Sequence, residues 1–397
     1  MKFNKWTLGL AAIGVVSLAS AARADEKMSQ LQTALSNTTI SGYVDTAAQW
    51  NPGTDQKPAG GPNIPAYSFA KDDGFSLNAI DIAIDHPEDE TPWAAGYHVE
   101  LMAGPDAVPT ATVGGVGIRQ AYLSLRTPVG NSGIDWKVGV WDTIIGYESS
   151  SDPSNPNYTR SYGYSIEPTT HTGVQGNYKV NDEISVQAGI ADGSNLGTSP
   201  AAINGTSAIE SQKAYMGAVA LTAPSSWGWM SGATLNAGVI DSEYTSPAVA
   251  GPPPVASAHY GTTSYYAGAT IPTPMSALKG GLSFDYADAH DHAGHADVVG
   301  LYGSYQINPN TSFNLRGEWG QNDDPALLAN TVTGFRNTFE EATATLQYNL
   351  WANVLTRAEV RWDHIEHGTA YGAGVLPAGG AFRNNDFLLA LNLIYQF

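Results

Sequence analysis

Charged side chains near the C-terminus recur at every second position, a spacing that places them on one face of an extended strand. Arg357, Glu359, Arg361 and Asp363 share such a face, whereas the positions between them are mostly apolar or small. Four successive charges on one face need water, and rings of side-chain charge beside a water-filled passage set which ions pass. The spacing therefore predicts a lining that selects ions.

Other segments of about ten residues show the same alternation, which is typical of strands in a membrane barrel. Arg316 and Glu318, for example, alternate with Leu315 and Trp319. On a lipid-facing surface Arg or Lys would cost roughly 2 to 4 kcal/mol at the bilayer midplane, so the charged face must point inward. An alternative is that the Arg and Glu residues form cross-strand ion pairs that only stiffen the wall. The alternation along each strand predicts that the following charged or titratable side chains face the interior: Asp45, Asp81, Asp85, His98, Glu100, Arg126, Asp135, Lys137, Asp285, Arg316, Glu318, Arg357, Glu359, Arg361 and Asp363.

A second candidate site is a histidine-rich segment at residues 285–297. His290, His292 and His295 lie there among several aspartates, and imidazole and carboxylate ligands suit borderline cations such as zinc or copper. The alternative is an ordinary polar surface loop, since no supporting contacts can be read from the sequence. A metal site at these three histidines is therefore one of two interpretations of this segment.

Catalytic patterns are missing from the sequence. It contains no G-x-S-x-G, H-E-x-x-H or G-x-x-x-x-G-K-[ST] motif. A hydrolase assembled from dispersed residues stays open because triads need not be adjacent in sequence, but His364 and His367 have no assignable hydroxyl partner. We expect neither enzymatic activity nor a cofactor.

The composition narrows the class of protein. The chain has 397 residues, of which 42% are hydrophobic and 14% charged, with a formal net charge of −19 and no cysteine. Such a charge repels nucleic acid, and disulfides and thiolate metal sites are excluded. An ordinary soluble domain carries about 25% charged residues, so part of this surface is expected to face something other than water.

The N-terminus has the three regions of a secretory signal. Lys2 and Lys5 precede an apolar run over residues 6–18, and Ala22-Arg23-Ala24 provides a small-residue cleavage site. The run is shorter than the ~20 residues that span a bilayer, which disfavours an uncleaved anchor. We predict a cleaved signal peptide at 1–24 and a short periplasmic segment at 25–37.

Period-two alternation predicts strands throughout the remaining chain, with roughly 14 to 18 as the range and about 16 as the best count. The connections alternate between short, as at 181–182 and 351–352, and long, as at 143–167 and 365–384. Short turns at one end and long loops at the other are typical of outer-membrane barrels. The predicted strands lie near 38–50, 75–85, 93–103, 117–126, 133–142, 168–179, 183–192, 213–223, 231–241, 260–271, 278–288, 297–306, 311–319, 338–349, 353–364 and 385–397.

The predicted fold is all-β, a transmembrane antiparallel up-and-down β-barrel over residues 38–397 with both termini periplasmic. A soluble double β-sandwich also gives short alternating strands. Two features favour the barrel: strand-end aromatics suit an interfacial girdle, and the chain ends on Tyr395-x-Phe397, which resembles the assembly signal of such barrels. The girdle candidates are Trp50, Trp93, Trp136, Trp319, Tyr348 and Trp362.

One block of sequence resembles a known family. It runs through the strings R-Q-A-Y-L-S-L (119–125), I-G-Y-E (145–148), N-P-N-Y-T-R-S-Y (155–162) and T-H-T-G-V (170–174), and it covers about a fifth of the mature chain. In this order the strings resemble the putative β-barrel porin type 2, or OmpL-like, family. The resemblance implies an outer-membrane pore, with no catalytic residues and no particular solute.

The same block forms the connection after the fifth predicted strand. In sixteen-stranded general porins that loop folds into the lumen, so by analogy of position we predict a constriction loop at 143–167. Its Glu148, Asp152 and Arg160 would narrow the passage, with Arg316, Arg357 and Arg361 on the opposite wall. Solutes would then cross a local field. The alternative is an external loop of ordinary polarity.

These observations predict an outer-membrane porin of a diderm bacterium, a passive channel for small hydrophilic solutes or ions. A rival function is a closed barrel that acts as a surface adhesin or scaffold through its loops at 51–74 and 246–254. The expected partners are outer-membrane lipid, the barrel assembly machinery and the solutes themselves. A monomer and a homotrimer both fit the sequence. The candidate lining is Asp45, Glu100, Lys137, Glu148, Asp152, Arg160, Arg316, Glu318, Arg357, Glu359, Arg361 and Asp363.

Overall fold

A computed structural model describes most of the chain between residues 37 and 397. The described residues are 37–52, 71, 73–107, 112–113, 116–130, 132–192, 212–246, 258–290, 294–323, 337–366 and 384–397. The predicted signal peptide, nearly all of segment 25–37, His292, His367 and most of the two loops proposed for adhesion lie outside them.

Antiparallel strands dominate the described residues, because β-branched and aromatic residues alternate with polar ones along each segment. They form one sheet. The strands are β1 (Thr39–Trp50), β2 (Gly74–His86), β3 (Ala95–Ala103), β4 (Thr112–Val113), β5 (Val116–Thr127), β6 (Ile134–Asp142), β7 (Thr170–Lys179), β8 (Ile184–Asp192), β9 (Lys213–Thr222), β10 (Thr234–Ser246), β11 (Ala258–Pro272), β12 (Leu278–Ala289), β13 (Gly294–Asn308), β14 (Thr311–Asn322), β15 (Asn337–Trp351), β16 (Val354–Ile365) and β17 (Asn385–Gln396).

The sheet closes on itself. β17 pairs with β1 from Tyr43↔Gln396 to Trp50↔Leu389, and each other strand of the wall pairs with its neighbours along the chain. Of the seventeen described strands, β4 is a two-residue strand that pairs with β5 beside β3, which leaves sixteen in the ring. The predicted barrel is confirmed and the sandwich is excluded. The alternation pattern did not predict β4.

Side chains alternate between the two faces of the wall. In β17, Phe387, Leu389 and Leu391 are exposed on the outside, whereas Leu388 and Asn392 are buried inside. The alternation of buried and exposed residues is interrupted in β2, where the register against β1 shifts between Asp45 and Thr46. The extra residue there is Asn78, a β-bulge, so Asn78 and Ala79 are both buried.

Exposed aromatic side chains lie at both ends of the wall. At the end with the short turns and the termini, which we call the turn end, the exposed tryptophans are Trp93, Trp227, Trp229 and Trp351. At the opposite loop end, Trp50, Phe75, Trp319 and Phe387 are exposed. Two such bands suit the two interfaces of a bilayer. No helix in the described residues is long and apolar enough to cross a membrane.

Phe397 closes the barrel seam. Its backbone exchanges two hydrogen bonds with Gly42, at 3.1 and 3.0 Å, and its ring lies so close to Gly42 that a Cβ there would meet it. Tyr395 stacks beside it, with ring centroids 6.4 Å apart. The role of Tyr395 and Phe397 as an assembly signal stays a prediction.

Candidate functional site

The segment between β6 and β7, residues 143–169, lies inside the barrel, and we call it the inner loop. Every residue from Asn157 to His171 is buried, which a loop surrounded by water could not achieve. Its base is closed by a hydrogen bond from the Thr143 N–H to the Thr169 carbonyl at 2.9 Å. The loop therefore fills part of the lumen and contacts the wall from inside.

Short local motifs shape the inner loop. A 3₁₀ turn over Asp152–Ser154 has Pro153 near its start, and the Asn155 amide donates to the carbonyls of Ser149 and Ser151 at 2.8 and 2.9 Å. A single helical turn, α1 (Tyr162–Ile166), follows. Its N-cap Ser161 accepts a hydrogen bond from the Tyr164 N–H at 2.9 Å. The loop thus satisfies many of its own backbone groups.

Apolar side chains of the inner loop fit against small residues of the wall. Tyr162 and Ile166 pack with Ala287, Ala296 and Val298 of β12 and β13, where the alanines leave room for the larger side chains. A second cluster joins Ile145 to residues of β6, β9, β10 and β11. Burial of this apolar surface helps to hold the loop on the wall.

Arg316 of β14 is the main electrostatic attachment. Its guanidinium donates to Glu148 of the inner loop at 2.8 Å, to the Thr159 carbonyl at 2.7 Å and to Glu341 of β15 at 3.2 Å. The side chains of Arg316, Glu148 and Glu341 are at most 1% exposed. A buried arginine with this many acceptors joins the loop to two strands at once.

Two wall carboxylates accept hydrogen bonds from the loop backbone. Glu318 of β14 accepts from the N–H groups of Tyr162 and Gly163 at 2.8 and 3.1 Å. Glu359 of β16 accepts from those of Tyr158 and Thr159 at 2.6 and 3.0 Å. Buried N–H groups need hydrogen-bond acceptors, and these carboxylates supply the acceptors that the irregular loop backbone lacks.

The other two predicted arginines also contact the loop. Arg361 donates to the Arg160 carbonyl at 2.6 Å and pairs with Asp363 at 2.8 Å. Arg357 donates to the carbonyls of Asp152 and Asn155 at 3.2 and 2.5 Å. Within the loop, Arg160 pairs with Asp152 at 2.7 Å.

The expectation of a field between loop carboxylates and wall arginines is therefore wrong in its geometry. Glu148 touches Arg316, and Arg357 and Arg361 touch the loop backbone, so the contacts leave no space in which a solute could pass between them. The physical reason is that the loop packs against this wall and removes the water around these charges, and a charge that has lost its water needs a direct partner.

The wall opposite these contacts keeps more solvent exposure. The carboxylates of Asp85, Asp142 and Asp135 on β2 and β6 are 39%, 28% and 23% exposed. Lys137 lies over the Tyr122 ring at 4.6 Å, and it too is only partly buried. These partly exposed charged groups of the interior therefore lie on β2 and β6.

The alternation of inward and outward residues did not predict that Arg119 faces the interior. It pairs with Glu100 at 2.6 Å and with Asp142 at 2.7 Å, and it is 4% exposed. The register between β3 and β5 shifts between Glu100 and Leu101, so Arg119 is an extra residue on β5 and points inward against the strand's alternation. The sequence carries no signal for that bulge.

The histidine-rich segment is shorter than predicted, because β12 extends to Ala289 and β13 begins at Gly294. His290 contacts Thr263 at 2.7 Å, whereas His295 lies 3.4 Å from Asp323. The part of this segment that the structure describes brings no three His, Asp or Glu side chains together as metal ligands. A metal site that uses His292 stays a prediction.

Glu167 provides a test of how the inner loop is held. Its carboxyl lies beside Asp285 and against Gly146. Burial, reinforced by the charge of Asp285, raises the pKa of Glu167 well above its ordinary value. The docked loop thus holds a proton that a hydrated loop would release, so docking should weaken as the pH rises above the ordinary Glu pKa of about 4.3.

We expect Glu167→Gln, which replaces the protonated carboxyl by an amide, to remove this part of the pH dependence. Protease cleavage within the inner loop of the folded barrel, measured from pH 5 to 9, should increase with pH in the unaltered chain and change less in the variant. Identical pH profiles would contradict this account.

The sequence model of the family described as putative beta-barrel porin-2, OmpL-like, matches residues 37–397. The chain belongs to this family. The predicted resemblance, which used about a fifth of the mature chain, is confirmed over the whole barrel of this OmpL-like protein. A comparison with curated protein sequences gave no match.

Solved outer-membrane proteins share the fold of the OmpL-like chain. The trimer form of OmpT from Vibrio cholerae has a TM-score of 0.57 at 12% identity, covering 91% of this chain and 99% of that one. The channel DcaP of Acinetobacter baumannii gives 0.57 at 13%, covering 91% and 97%. An anion-selective porin from Comamonas acidovorans gives 0.57 at 12%, covering 91% and 99%. At such identities the likeness shows the fold alone.

Proposed function

We propose that this OmpL-like barrel is an outer-membrane porin, a passive diffusion channel for small hydrophilic solutes or ions, and that it is not an enzyme. Porin family membership supports this, as do neighbours that are outer-membrane channels. In this proposal the turn end faces the periplasm and the long loops face outward.

The observation that carries the proposal is the polar interior. Inside a wall with an apolar exterior, the charged side chains of Asp85, His98, Asp135 and Asp142 stay partly exposed. Partly exposed charges inside a closed barrel require water there, and a water-containing interior beside a narrowing loop suits diffusion of hydrophilic solutes. The inner loop would then act as the constriction.

Planar-bilayer recording of the folded, detergent-purified chain tests this function. We expect stepwise openings whose conductance rises with salt, because ions would carry the current through a water-filled passage. A heat-denatured sample of the same preparation is the control. Persistent silence from folded barrels would overturn the proposal and favour the closed adhesin or scaffold.

We also propose that the assembled form is a homotrimer. The support is a structural neighbour described as a trimer and an exterior wall that is apolar across many strands, which suits a subunit as well as lipid. Chemical crosslinking in native membranes should yield a threefold mass, and a single-chain mass at every crosslinker concentration would exclude it.

A further inference from the structure

Lys137 of β6 is an interior cation whose charge is not neutralised by the wall. Its side chain is only partly buried, and its ammonium makes no ion pair and no hydrogen bond with the described residues. It lies over the Tyr122 ring of β5, with 4.6 Å between Nζ and the ring centroid. A lysine ammonium carries three hydrogen-bond donors, so those of Lys137 are left to water or to a solute.

The arginines on the same part of the wall are paired. Arg119 contacts Asp142 at 2.7 Å, and Arg126 contacts Asp135 at 2.5 Å. Their charges are therefore used within the wall, where they join neighbouring strands. The charge of Lys137 has no such role, which leaves it able to neutralise an acidic group on a solute.

Asp85 of β2 is a partly exposed charge of the opposite sign. Its side chain is 39% exposed, and its Oδ1 lies 3.1 Å from Nδ1 of His98 on β3. Its other oxygen has no hydrogen-bond donor among the described residues. An ionised carboxylate accepts through both oxygens, so Asp85 keeps the capacity to bind a cationic group.

Two stacked rings lie between these charges. The rings of His98 and Tyr122 are 5.2 Å apart between centroids, and Lys137 lies over Tyr122. In the strand ladder Asp85 pairs with His98, and His98 pairs with Tyr122. Lys137 is on the next strand of the wall. Three strand spacings of about 4.8 Å therefore separate the two charges by about 14 Å.

A solute with only one sign of charge suits this stretch of wall poorly. An anion that approaches Lys137 is repelled by Asp85, and a cation that approaches Asp85 is repelled by Lys137. A solute with an ammonium at one end and a carboxylate at the other meets an opposite charge at both ends. Complementarity of this kind contributes more to specificity than to affinity.

The separation of the charges sets the length of such a solute. An extended peptide of two to three residues has its charged ends about 7 to 10 Å apart. Ionic hydrogen bonds of about 3 Å at each end extend the span to about 13 to 16 Å, which includes the separation across the wall. The Tyr122 hydroxyl has no hydrogen-bond partner among the described residues, so it can bond to a peptide group between the two ends.

We propose that Lys137 and Asp85 form the two ends of a binding site for short zwitterionic peptides of two to three residues. The peptide carboxylate binds Lys137, and the peptide ammonium binds Asp85. The proposal rests on the proposed porin function and names a preferred class of solute. Both protein groups are partly exposed, so the peptide keeps part of its hydration and is released readily, as passage through a channel requires.

Blocking of single-channel current by triglycine and its capped forms tests this site in planar bilayers. N-acetylation removes the ammonium, C-terminal amidation removes the carboxylate, and both caps together give a neutral probe of similar length. We expect triglycine to block longest and each single cap to shorten the blocks about fivefold, as for an ion pair partly exposed to solvent. The doubly capped probe should block most briefly.

Lys137→Gln and Asp85→Asn show which end of the peptide each residue binds. In Lys137→Gln, triglycine and its amide should block for equal times, because the carboxylate has lost its partner. In Asp85→Asn, triglycine and its N-acetyl form should block for equal times. The asparagine oxygen can still accept a hydrogen bond from His98, which keeps that ring in place.

Lys213→Gln is the matched control. Lys213 carries the same charge on the outside of the wall, where it alternates with the exposed Tyr215 and pairs with Asp192 at 3.0 Å. All four block times should match those of the unaltered chain. Heat-modifiable migration shows which variants are folded, and the capped probes on the unaltered chain decide if a variant does not fold.

Two results would overturn the peptide site. One is a neutral probe that blocks the unaltered chain for as long as triglycine does. The other is an equal shortening of all blocks in Lys137→Gln, which would mean that the lysine only supports the wall. Absence of conductance in the unaltered chain instead refutes the porin function itself.

Discussion

Replacing Arg316 with alanine is expected to release the inner loop from β14 and β15. The guanidinium joins Glu148, the Thr159 carbonyl and Glu341, and all three would lose a buried donor. Removing one partner of a buried ion pair costs about 3 to 5 kcal/mol. Protease cleavage inside the loop should increase strongly, and single-channel current should become noisier and larger.

Arg126→Ala is the matched control for Arg316→Ala. Arg126 also points inward and pairs with a carboxylate, Asp135, at 2.5 Å, but it lies near the turn end, and the contacts described for it do not involve the inner loop. We expect little change in loop cleavage in this variant. Equal cleavage in both variants would mean that Arg316 stabilises the wall and not the loop.

Shortening the inner loop should have the largest effect on conductance. Its base is closed by the Thr143–Thr169 hydrogen bond, and Glu167 lies against Gly146, so residues 147–166 can be replaced by two glycines without moving β6 or β7. The deletion removes the buried segment and hydrates Arg316, Glu318 and Glu359. Planar-bilayer recordings should show a several-fold higher single-channel conductance.

A deletion in a connection at the turn end controls for the general effect of cutting a connection of the barrel. The turn after β9 is closed by a hydrogen bond from Ala223 N–H to Ala233 O at 2.8 Å, and its 3₁₀ turn (Ser225–Met230) can be replaced by the same two glycines. Conductance should then stay near that of the unaltered chain. An unchanged conductance in the inner-loop deletion would show that the inner loop does not limit the passage.

Period-two patterning predicted the barrel well, because each strand must present one face to apolar surroundings and the other to the interior. The clearest cases are β16 and β17, whose bounds differ from the predicted segments by one residue at each end at most. The patterning could not predict bulges. Asn78 and Arg119 each occupy an extra position, and in both cases the partner strand determines the shift.

The sequence also predicted which charged residues face inward, and it identified the segment that enters the lumen by its position. It could not predict that Arg316, Arg357 and Arg361 contact that segment directly. Those contacts depend on distances across the interior, which no local pattern contains.

Attachment of the inner loop to late strands has a consequence for assembly order. Glu148 and Arg316 are 168 residues apart, and Tyr158 and Glu359 are 201 apart. Contacts of such sequence separation form slowly, because much of the chain must be ordered before they yield any stability. During folding, the backbone N–H groups of the loop thus have no carboxylate acceptors until the last hairpins form. In a nascent barrel that lacks β14–β16, the inner loop has no wall partners and stays hydrated. Binding of the loop to the wall therefore indicates that these strands have formed.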